Sequence, residues 1–214
     1  MKRIVTFSFL ILYLLSYNDP VYGQNTVQIK TTEGLRLSIF DIDVTPPIGY
    51  KMPYGTVTGS SDVGLRAKGI VITGLENPIV LVSVDWLGIG NDCYDEFRRS
   101  LARAAGTIPQ RVAVHVIHQH DAPYPIDYLN DNFALSVIHR LEMAVVNSLE
   151  NTVPITHVGV GEAQVYKVAS NRRILGPDGK VKAMRWTACK DSALRAEPEG
   201  LIDPMISAVS FWNE

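Results

Sequence analysis

The chain has 214 residues, of which 46% are hydrophobic and 20% charged, with a formal net charge of -2. This length suffices for one domain with a sizeable core, or for part of a larger domain. Because the basic residues are scattered rather than gathered into a stripe, the charge pattern excludes a basic nucleic-acid-binding surface.

Residues 1–23 have the three parts of a secretory signal peptide. Lys2 and Arg3 form a positive start, residues 4–15 form a short apolar stretch, and Gly23 ends a small-residue cleavage site. The apolar stretch is too short for a comfortable membrane span, although an uncleaved N-terminal anchor is the alternative. We therefore expect export to the periplasm or to the outside of the cell, with residues 24–214 forming the folded part.

Alternating apolar and polar residues predict a half-buried strand over residues 35–44. Pro46 and Pro47 then forbid a helix and end the strand in an extended loop. Residues 48–59, rich in glycine and aromatic residues, either line a pocket or form a plain surface loop. The surface loop is the commoner case.

Two β-branched apolar runs, residues 66–73 and 79–84, predict an antiparallel hairpin. Asp85 follows the second run directly. A carboxylate at this position either faces a site at the edge of the sheet or fills a turn, and both interpretations stay open.

A helix is predicted over residues 93–105, capped by Asn91 or Asp92 and ended by Gly106. Apolar strands are predicted on both sides of it. A strand, a helix and a second strand in this order indicate a βαβ crossover with parallel pairing of the strands.

The largely apolar run at residues 112–117 is typical of a buried strand, and it leads into His118-Gln119-His120. Residues two apart in a strand point to the same face, so an extended chain through Gln119 would aim both rings at one point. Neutral imidazole is a favoured zinc ligand, but a catalytic zinc normally takes three protein ligands. The pair alone is therefore too small, and two solvated loop histidines are the alternative.

Apolar residues at helical spacing predict a second helix over residues 132–149. His139 lies in this helix and His157 in a predicted strand over residues 155–165. Both are interpreted as exposed or structural histidines rather than ligands, because the residues next to His139 are charged.

In the last part of the chain, residues 171–179 end in a strong turn signal, and a long polar loop is predicted at residues 188–204. Residues 205–212 predict a final strand, which we expect to leave an unpaired sheet edge. Cys93 and Cys189 either form a disulfide, as an oxidising compartment permits, or stay separate as buried thiols.

Six short segments share their order and spacing with a known protein family. They are Asp43-Val44-Thr45-Pro46-Pro47-Ile48-Gly49-Tyr50, Arg66-Ala67-Lys68-Gly69-Ile70-Val71, Val82-Ser83-Val84-Asp85, His118-Gln119-His120, Asn171-Arg172-Arg173 and Pro198-Glu199-Gly200-Leu201-Ile202-Asp203-Pro204. Together they resemble the N-terminal region of the neutral/alkaline non-lysosomal ceramidases over nearly all of the chain after residue 23.

The resemblance implies a zinc-dependent amidase that cleaves the amide bond of ceramide with a zinc-bound water. His118 matches the first zinc-ligand histidine, His120 the histidine beside the metal, and Arg172 an arginine that contacts the substrate or the developing oxyanion. This chemistry is sound, because zinc lowers the pKa of bound water to about 7 and a fixed cation stabilises a tetrahedral oxyanion.

Asp85 and Asp121 are expected to support the site from behind the metal ligands. Asp121-Ala122-Pro123 stands where better-known ceramidases have Ser-Gly-Pro, so the pocket wall differs and the substrate need not be ceramide. In the family, another histidine, a glutamate and a tyrosine complete the metal site from sequence beyond residue 214. We therefore expect this chain alone to bind zinc weakly and to show little turnover.

The expected fold class is α/β, a mixed sheet with flanking helices that forms the incomplete N-terminal part of a larger catalytic domain. The expected function is exported, zinc-dependent hydrolysis of the N-acyl amide of a sphingolipid or similar lipid, which would bring the protein into peripheral contact with membrane lipid. The alternative is a secreted, non-catalytic lipid- or glycan-binding module with a degenerate site. A serine hydrolase ranks last, because the sequence has no Gly-x-Ser-x-Gly motif.

Overall fold

The computed structural model describes residues 24–30 and 34–213, with side chains from residue 34 onward. The predicted signal peptide lies outside the described residues. The strands are β1 (Gln24–Lys30), β2 (Arg36–Asp43), β3 (Lys51–Met52), β4 (Gly55–Thr56), β5 (Arg66–Thr73), β6 (Ile79–Val84), β7 (Val112–Val116), β8 (Val153–Pro154), β9 (His157–Gln164), β10 (Arg173–Leu175), β11 (Val181–Met184) and β12 (Met205–Trp212). The α-helices are α1 (Asn91–Ala105), α2 (Asn132–Ser148) and α3 (Ser192–Ala196).

The chain divides into two compact units. The larger unit contains residues 34–156, and the smaller unit contains residues 24–30 and 157–212. Within the described part of the chain, none of the helices is both long and apolar enough to cross a membrane.

The larger unit is built on a five-stranded sheet in the order β7-β6-β5-β2-β8. The pairings of β2 with β5 and β8, and of β5 with β6, are antiparallel, while β6 and β7 pair in parallel. Helix α1 connects these two parallel strands, as the βαβ prediction requires. The predicted fold class, a mixed α/β sheet with flanking helices, is confirmed.

Strands β5 and β6 have the bounds that the sequence predicts. Their β-branched residues favour the extended backbone, and along β6 the alternate residues Val80, Val82 and Val84 are buried. Helices α1 and α2 pack on this face of the sheet, where Phe97 of α1 and Leu141 of α2 belong to the same core cluster as the valines. Burial of this apolar surface is the main force that holds helices and sheet together.

Helix α1 begins at Asn91, two residues before its predicted start, and neither predicted residue caps it. Gly90 is the N-cap residue, and neither Asn91 nor Asp92 caps the helix with its side chain. A Cβ atom at Gly90 would lie 2.8 Å from Cα of Ile126, so a side chain does not fit there. The C-terminal prediction is confirmed, because Gly106 ends the helix in the left-handed conformation with φ 64°.

The second helix begins and ends close to its predicted bounds, and its predicted apolar face packs into or against the core except at Leu135. The Asp131 carboxylate caps it by accepting a hydrogen bond from the backbone N–H of Ala134. Leu135, expected on the apolar face, is 44% exposed, while Ala134 and Val137 are buried. His139 is exposed on the helix surface as predicted, with its side chain 3.9 Å from Glu142.

The strand that carries the histidines differs most from its prediction. β7 ends at Val116, two residues before His118, and it lies at the edge of the sheet. Val112 is its one buried residue, so this is a half-buried edge strand rather than a buried one.

The smaller unit contains an antiparallel sheet in the order β1-β9-β12, the hairpin β10-β11 and the short helix α3. The final strand has the predicted bounds and lies at an edge of its sheet, as expected. β1, β10, β11 and α3 were not predicted. The Asp191 carboxylate caps α3 through the N–H groups of Ala193 and Leu194.

Candidate functional site

The two histidines lie in the loop that follows β7, beside the loop that follows β6. Backbone hydrogen bonds join the two loops: His118 N–H donates to the carbonyl of Trp86 at 3.1 Å, and Leu87 N–H donates to that of Pro123 at 3.1 Å. The carboxyl ends of adjacent parallel strands are the usual place for a site in an α/β sheet, since their loops come together there.

His118 does not continue the strand. Its φ is 60°, the left-handed region, so the predicted extended conformation through Gln119 is wrong. The two rings nevertheless meet: the centroids of His118 and His120 are 5.2 Å apart, with an interplanar angle of 82°. The predicted proximity of the rings is thus found, but a sharp turn produces it rather than strand alternation.

A hydrogen bond to the backbone orients the His118 ring. Its Nδ1 lies 2.8 Å from the carbonyl oxygen of Leu87. A carbonyl can only accept, so Nδ1 carries the hydrogen and Nε2 of the neutral ring keeps its lone pair. This is the arrangement by which proteins orient a metal-binding imidazole.

The His120 ring is held by an aromatic neighbour that the sequence reasoning did not assign to the site. Tyr54 stacks on His120, with ring centroids 4.8 Å apart and an interplanar angle of 19°. Tyr54 comes from the turn between β3 and β4, in the loop rich in glycine and aromatic residues. The aromatic residues of that loop were the signal that could have placed it here.

A cavity of about 370 Å³ opens next to the histidine loop. Thr56, Val57, Thr58 and Gly59 form part of one wall, so the loop at residues 48–59 lines a pocket rather than only covering the surface. Gln119 and Asp121, from the loop that carries the histidines, also line this cavity.

The side chain of Gln119, which separates the two histidines in the sequence, holds the backbone of Asp121. The Gln119 amide oxygen accepts a hydrogen bond from the Asp121 backbone N–H at 2.7 Å, and the amide nitrogen donates to the Asp121 carbonyl at 3.0 Å. Asp121 therefore lines the cavity from a backbone that Gln119 holds in place. Its predicted supporting role stays a prediction.

Asp85 has a local structural partner. Its carboxylate accepts a hydrogen bond from the Arg66 backbone N–H at 2.9 Å, and its own N–H donates to the Arg66 carbonyl at 2.9 Å. Asp85 thereby extends the β5–β6 pairing into the turn, which matches the turn interpretation. Among the described hydrogen bonds, none joins its carboxylate to a histidine ring, and its supporting role behind a metal is untested.

The residues that the structure describes do not make a complete zinc site. None of their groups of three or more histidine, cysteine, aspartate or glutamate side chains could hold a metal ion. The paired imidazoles of His118 and His120 are suitable donors, but a catalytic zinc takes three protein ligands. The two imidazoles therefore suit part of the ligand set of a zinc ion, but they do not complete it.

Arg172 lies in the smaller unit, whereas both histidines lie in the larger unit. Its guanidinium carbon is 5.6 Å from the ring centroid of Trp186, a cation–π contact. Its predicted role toward substrate is untested.

Tyr50 anchors the start of the loop at residues 48–59. Its hydroxyl donates to the Asp131 carboxylate at 2.6 Å, and its ring packs edge-on against Phe133. Burial, and then the hydrogen bond to Asp131, raise the pKa of Tyr50 above its usual range. The side chain stays neutral and acts as a brace.

Both cysteines are free thiols. Cys93 is fully buried in α1, and burial, followed by the charges of Asp131 and Asp127, raises the pKa of its thiol to about 11. Of the two interpretations of the cysteines, the inert thiol describes Cys93.

No protein-family model matches the chain, and no curated protein matches it. Among solved structures, neutral ceramidase from Pseudomonas aeruginosa matches with a TM-score of 0.50 and 18% identity, covering 83% of this chain and 29% of that one. A ceramidase complexed with C2 matches with a TM-score of 0.48 and 17% identity over the same shares. The first likeness shows the fold, which is shared with the family that the six segments resemble. The chain spans 29% of the length of these relatives.

Proposed function

We propose that this chain contributes the two paired histidines to an amidohydrolase site of the ceramidase type. The reaction would be hydrolysis of the N-acyl amide of a sphingolipid or similar lipid. The observation that supports this most directly is the ring pair, 5.2 Å between centroids, with Nδ1 of His118 bound to a carbonyl. This hydrogen bond fixes one tautomer of His118, which a histidine that is merely solvated in a loop does not require.

His118 is proposed as a zinc ligand through its Nε2 atom. The described residues supply too few donors for a catalytic zinc, so its other ligands would lie outside them. His120, held against Tyr54, would sit beside the reacting group within reach of a proton transfer. Arg172 is proposed to stabilise the developing oxyanion on the basis of the resemblance alone, since it lies in the other compact unit.

Exposed apolar side chains on the loops at residues 48–59 and 117–131 favour a lipid as the substrate. The two loops expose Ile48, Tyr54, Ile126 and Leu129, which are 77%, 67%, 67% and 71% exposed. Exposed apolar side chains suit contact with an acyl chain, and they also suit peripheral contact with a membrane. Export by the signal peptide at residues 1–23 belongs to the same proposal.

Zinc binding tests the role of His118 separately from turnover. We expect the purified 214-residue chain to bind zinc more weakly than nanomolar in competition with a chelator, because a site with too few ligands is incomplete. His118→Gln should weaken binding further, while His139→Gln, an exposed histidine on α2, should not. Nanomolar binding, or equal effects of the two substitutions, would contradict the assignment.

Hydrolysis tests the reaction itself. Amide release from a panel of N-acyl lipids is measured with and without chelator, for this chain and for one extended past residue 214 by adjoining coding sequence. We expect little release by the short chain and chelator-sensitive release by the long one. Lipid binding without hydrolysis by either chain, unaffected by His118→Gln, would instead support the non-catalytic binding module.

A further inference from the structure

The smaller unit contains a cavity of its own, of about 590 Å³. Four basic and two acidic side chains line it, leaving an excess of two positive charges. These charged residues are Lys167, Arg172, Arg185, Arg195, Glu197 and Glu199.

The four basic side chains of this cavity are not neutralised by carboxylates. Among the residues that the structure describes, none of the four forms an ion pair within 4.0 Å. Glu197 is occupied elsewhere, since its carboxylate accepts from Lys182 at 2.8 Å, and Lys182 is outside the lining. Like charges gathered without counter-charges repel one another, so their grouping costs stability unless an anion enters.

Arg185 is fixed in place at this cavity. Its Nη1 donates to the carbonyls of Leu194 and Glu197 at 3.2 and 2.6 Å, and its Nη2 donates to those of Asn171 and Pro198 at 3.3 and 2.9 Å. Carbonyls satisfy the guanidinium hydrogens without cancelling its charge. Arg185 also has a buried Nε with no partner in the described part of the chain, which is a cost to folding.

An aromatic side chain forms another part of the lining. Trp186 is 58% exposed, and Arg172 lies over its ring at 5.6 Å. The ring therefore offers an apolar surface beside the cluster of positive charge, and its fluorescence provides a reporter within the cavity.

We propose that this cavity binds a phosphate monoester, with the phosphate among the basic side chains and its organic group against Trp186. A phosphate monoester carries about -1.5 to -2 charges at pH 7, which is opposite in sign to the net positive charge of the lining. Three acceptor oxygens on one small group can engage several cations together, and charge-assisted hydrogen bonds of this kind are the strong ones. The inference shares Arg172 with the amidase proposal and is therefore tested at Arg195, a residue that the amidase proposal does not use.

Phenyl phosphate is titrated into the full chain, with fluorescence at Trp186 as the readout and Trp186→Phe as the signal control. We expect saturable binding that weakens with added salt, since exposed charges are screened. Arg195→Gln should weaken binding about tenfold, because it removes a charge-assisted contact. Lys180→Gln, an equal change of charge outside the lining, should leave binding unchanged.

A phosphate in this cavity could belong to a free molecule or to a lipid headgroup. Vesicles of phosphatidylcholine with and without phosphatidic acid form the second arm of the experiment. Binding of phenyl phosphate supports a site for a free molecule, and binding only of the vesicles that contain phosphatidic acid supports a site for a lipid headgroup. Either result counts only if Arg195→Gln weakens that binding. Absence of saturable binding in both arms, or equal binding by the Arg195 and Lys180 variants, overturns it. Neither arm contains zinc or an N-acyl lipid, so failure here leaves the amidase proposal untouched.

Discussion

The backbone at His118 shows what residue-level reasoning could and could not predict about the site. The spacing of His118 and His120 predicts that two rings come together, and they do. It does not predict the left-handed turn, because that turn depends on a partner far along the chain: the His118 N–H donates to the Trp86 carbonyl. The place of Tyr54 in the site was not predicted for the same reason, because its ring stacks on His120, a residue distant in the sequence.

The conformation of His118 leads to a stability prediction. A left-handed φ costs an L-residue about 1–2 kcal/mol, a penalty that glycine avoids. We therefore expect His118→Gly to be about 1 kcal/mol more stable than His118→Ala in urea unfolding. At His120, where φ is not positive, the alanine variant should be the more stable of the two. If alanine is more stable at both positions, residue 118 is extended as the sequence alone suggested.

The two cysteines should differ in reactivity. The thiolate is the nucleophile, and burial holds the pKa of Cys93 at about 11, so this thiol stays protonated and shielded at pH 8. We expect iodoacetamide to modify Cys189, which is partly exposed, and to spare Cys93 until urea unfolds the protein. Mass spectrometry of the labelled peptides gives the result. Rapid modification of Cys93 in the folded protein would mean that α1 is not packed as described.

Among the secondary-structure elements, those whose own residues form a strong sequence pattern were predicted most accurately. β5, β6 and β12 are dense in β-branched or apolar residues, and their bounds were predicted correctly. β10 and β11 have three and four residues, and they depend on pairing with each other more than on local composition. Pairing of this kind is a tertiary effect that a pattern in one segment does not contain.

The N-terminus of α2 depends on Asp131, which also holds the loop beside the histidines. Its carboxylate accepts from the Ala134 N–H at 3.0 Å and from the Tyr50 hydroxyl at 2.6 Å. Asp131→Ala should therefore lower the free energy of unfolding by about 2–5 kcal/mol, the sum of a lost cap of about 0.5–2 kcal/mol and a lost charged hydrogen bond of about 1.5–3 kcal/mol.

Asp131→Asn is the matched control, because asparagine caps a helix about as well as aspartate. It should retain most of the stability. The measurement is the urea midpoint of the two variants and the native chain. Equal midpoints for all three would show that the cap contributes little to α2.

At the scale of the whole molecule, the two units differ in how much apolar surface they bury. The core cluster lies entirely within the larger unit, with Trp86, Phe97 and Leu141 fully or almost fully buried. In the smaller unit, Ile174 is the one buried apolar side chain among those described. Since apolar burial supplies most of the favourable free energy of folding, the smaller unit has much less to hold it together.

Hydrogen exchange should reveal this difference directly. Backbone amides exchange through local opening, whose free energy is low where few apolar contacts must be broken. We expect amides of the interior strand β9 to exchange at least about tenfold faster than those of the interior strands β5 and β6, after correction for intrinsic rates, since tenfold corresponds to about 1.4 kcal/mol. The β9–β12 and β5–β6 pairings are both antiparallel, so the comparison holds hydrogen-bond geometry constant there. Equal protection of these interior strands, measured by mass spectrometry of peptides, would mean that both units open in one cooperative step despite their unequal cores.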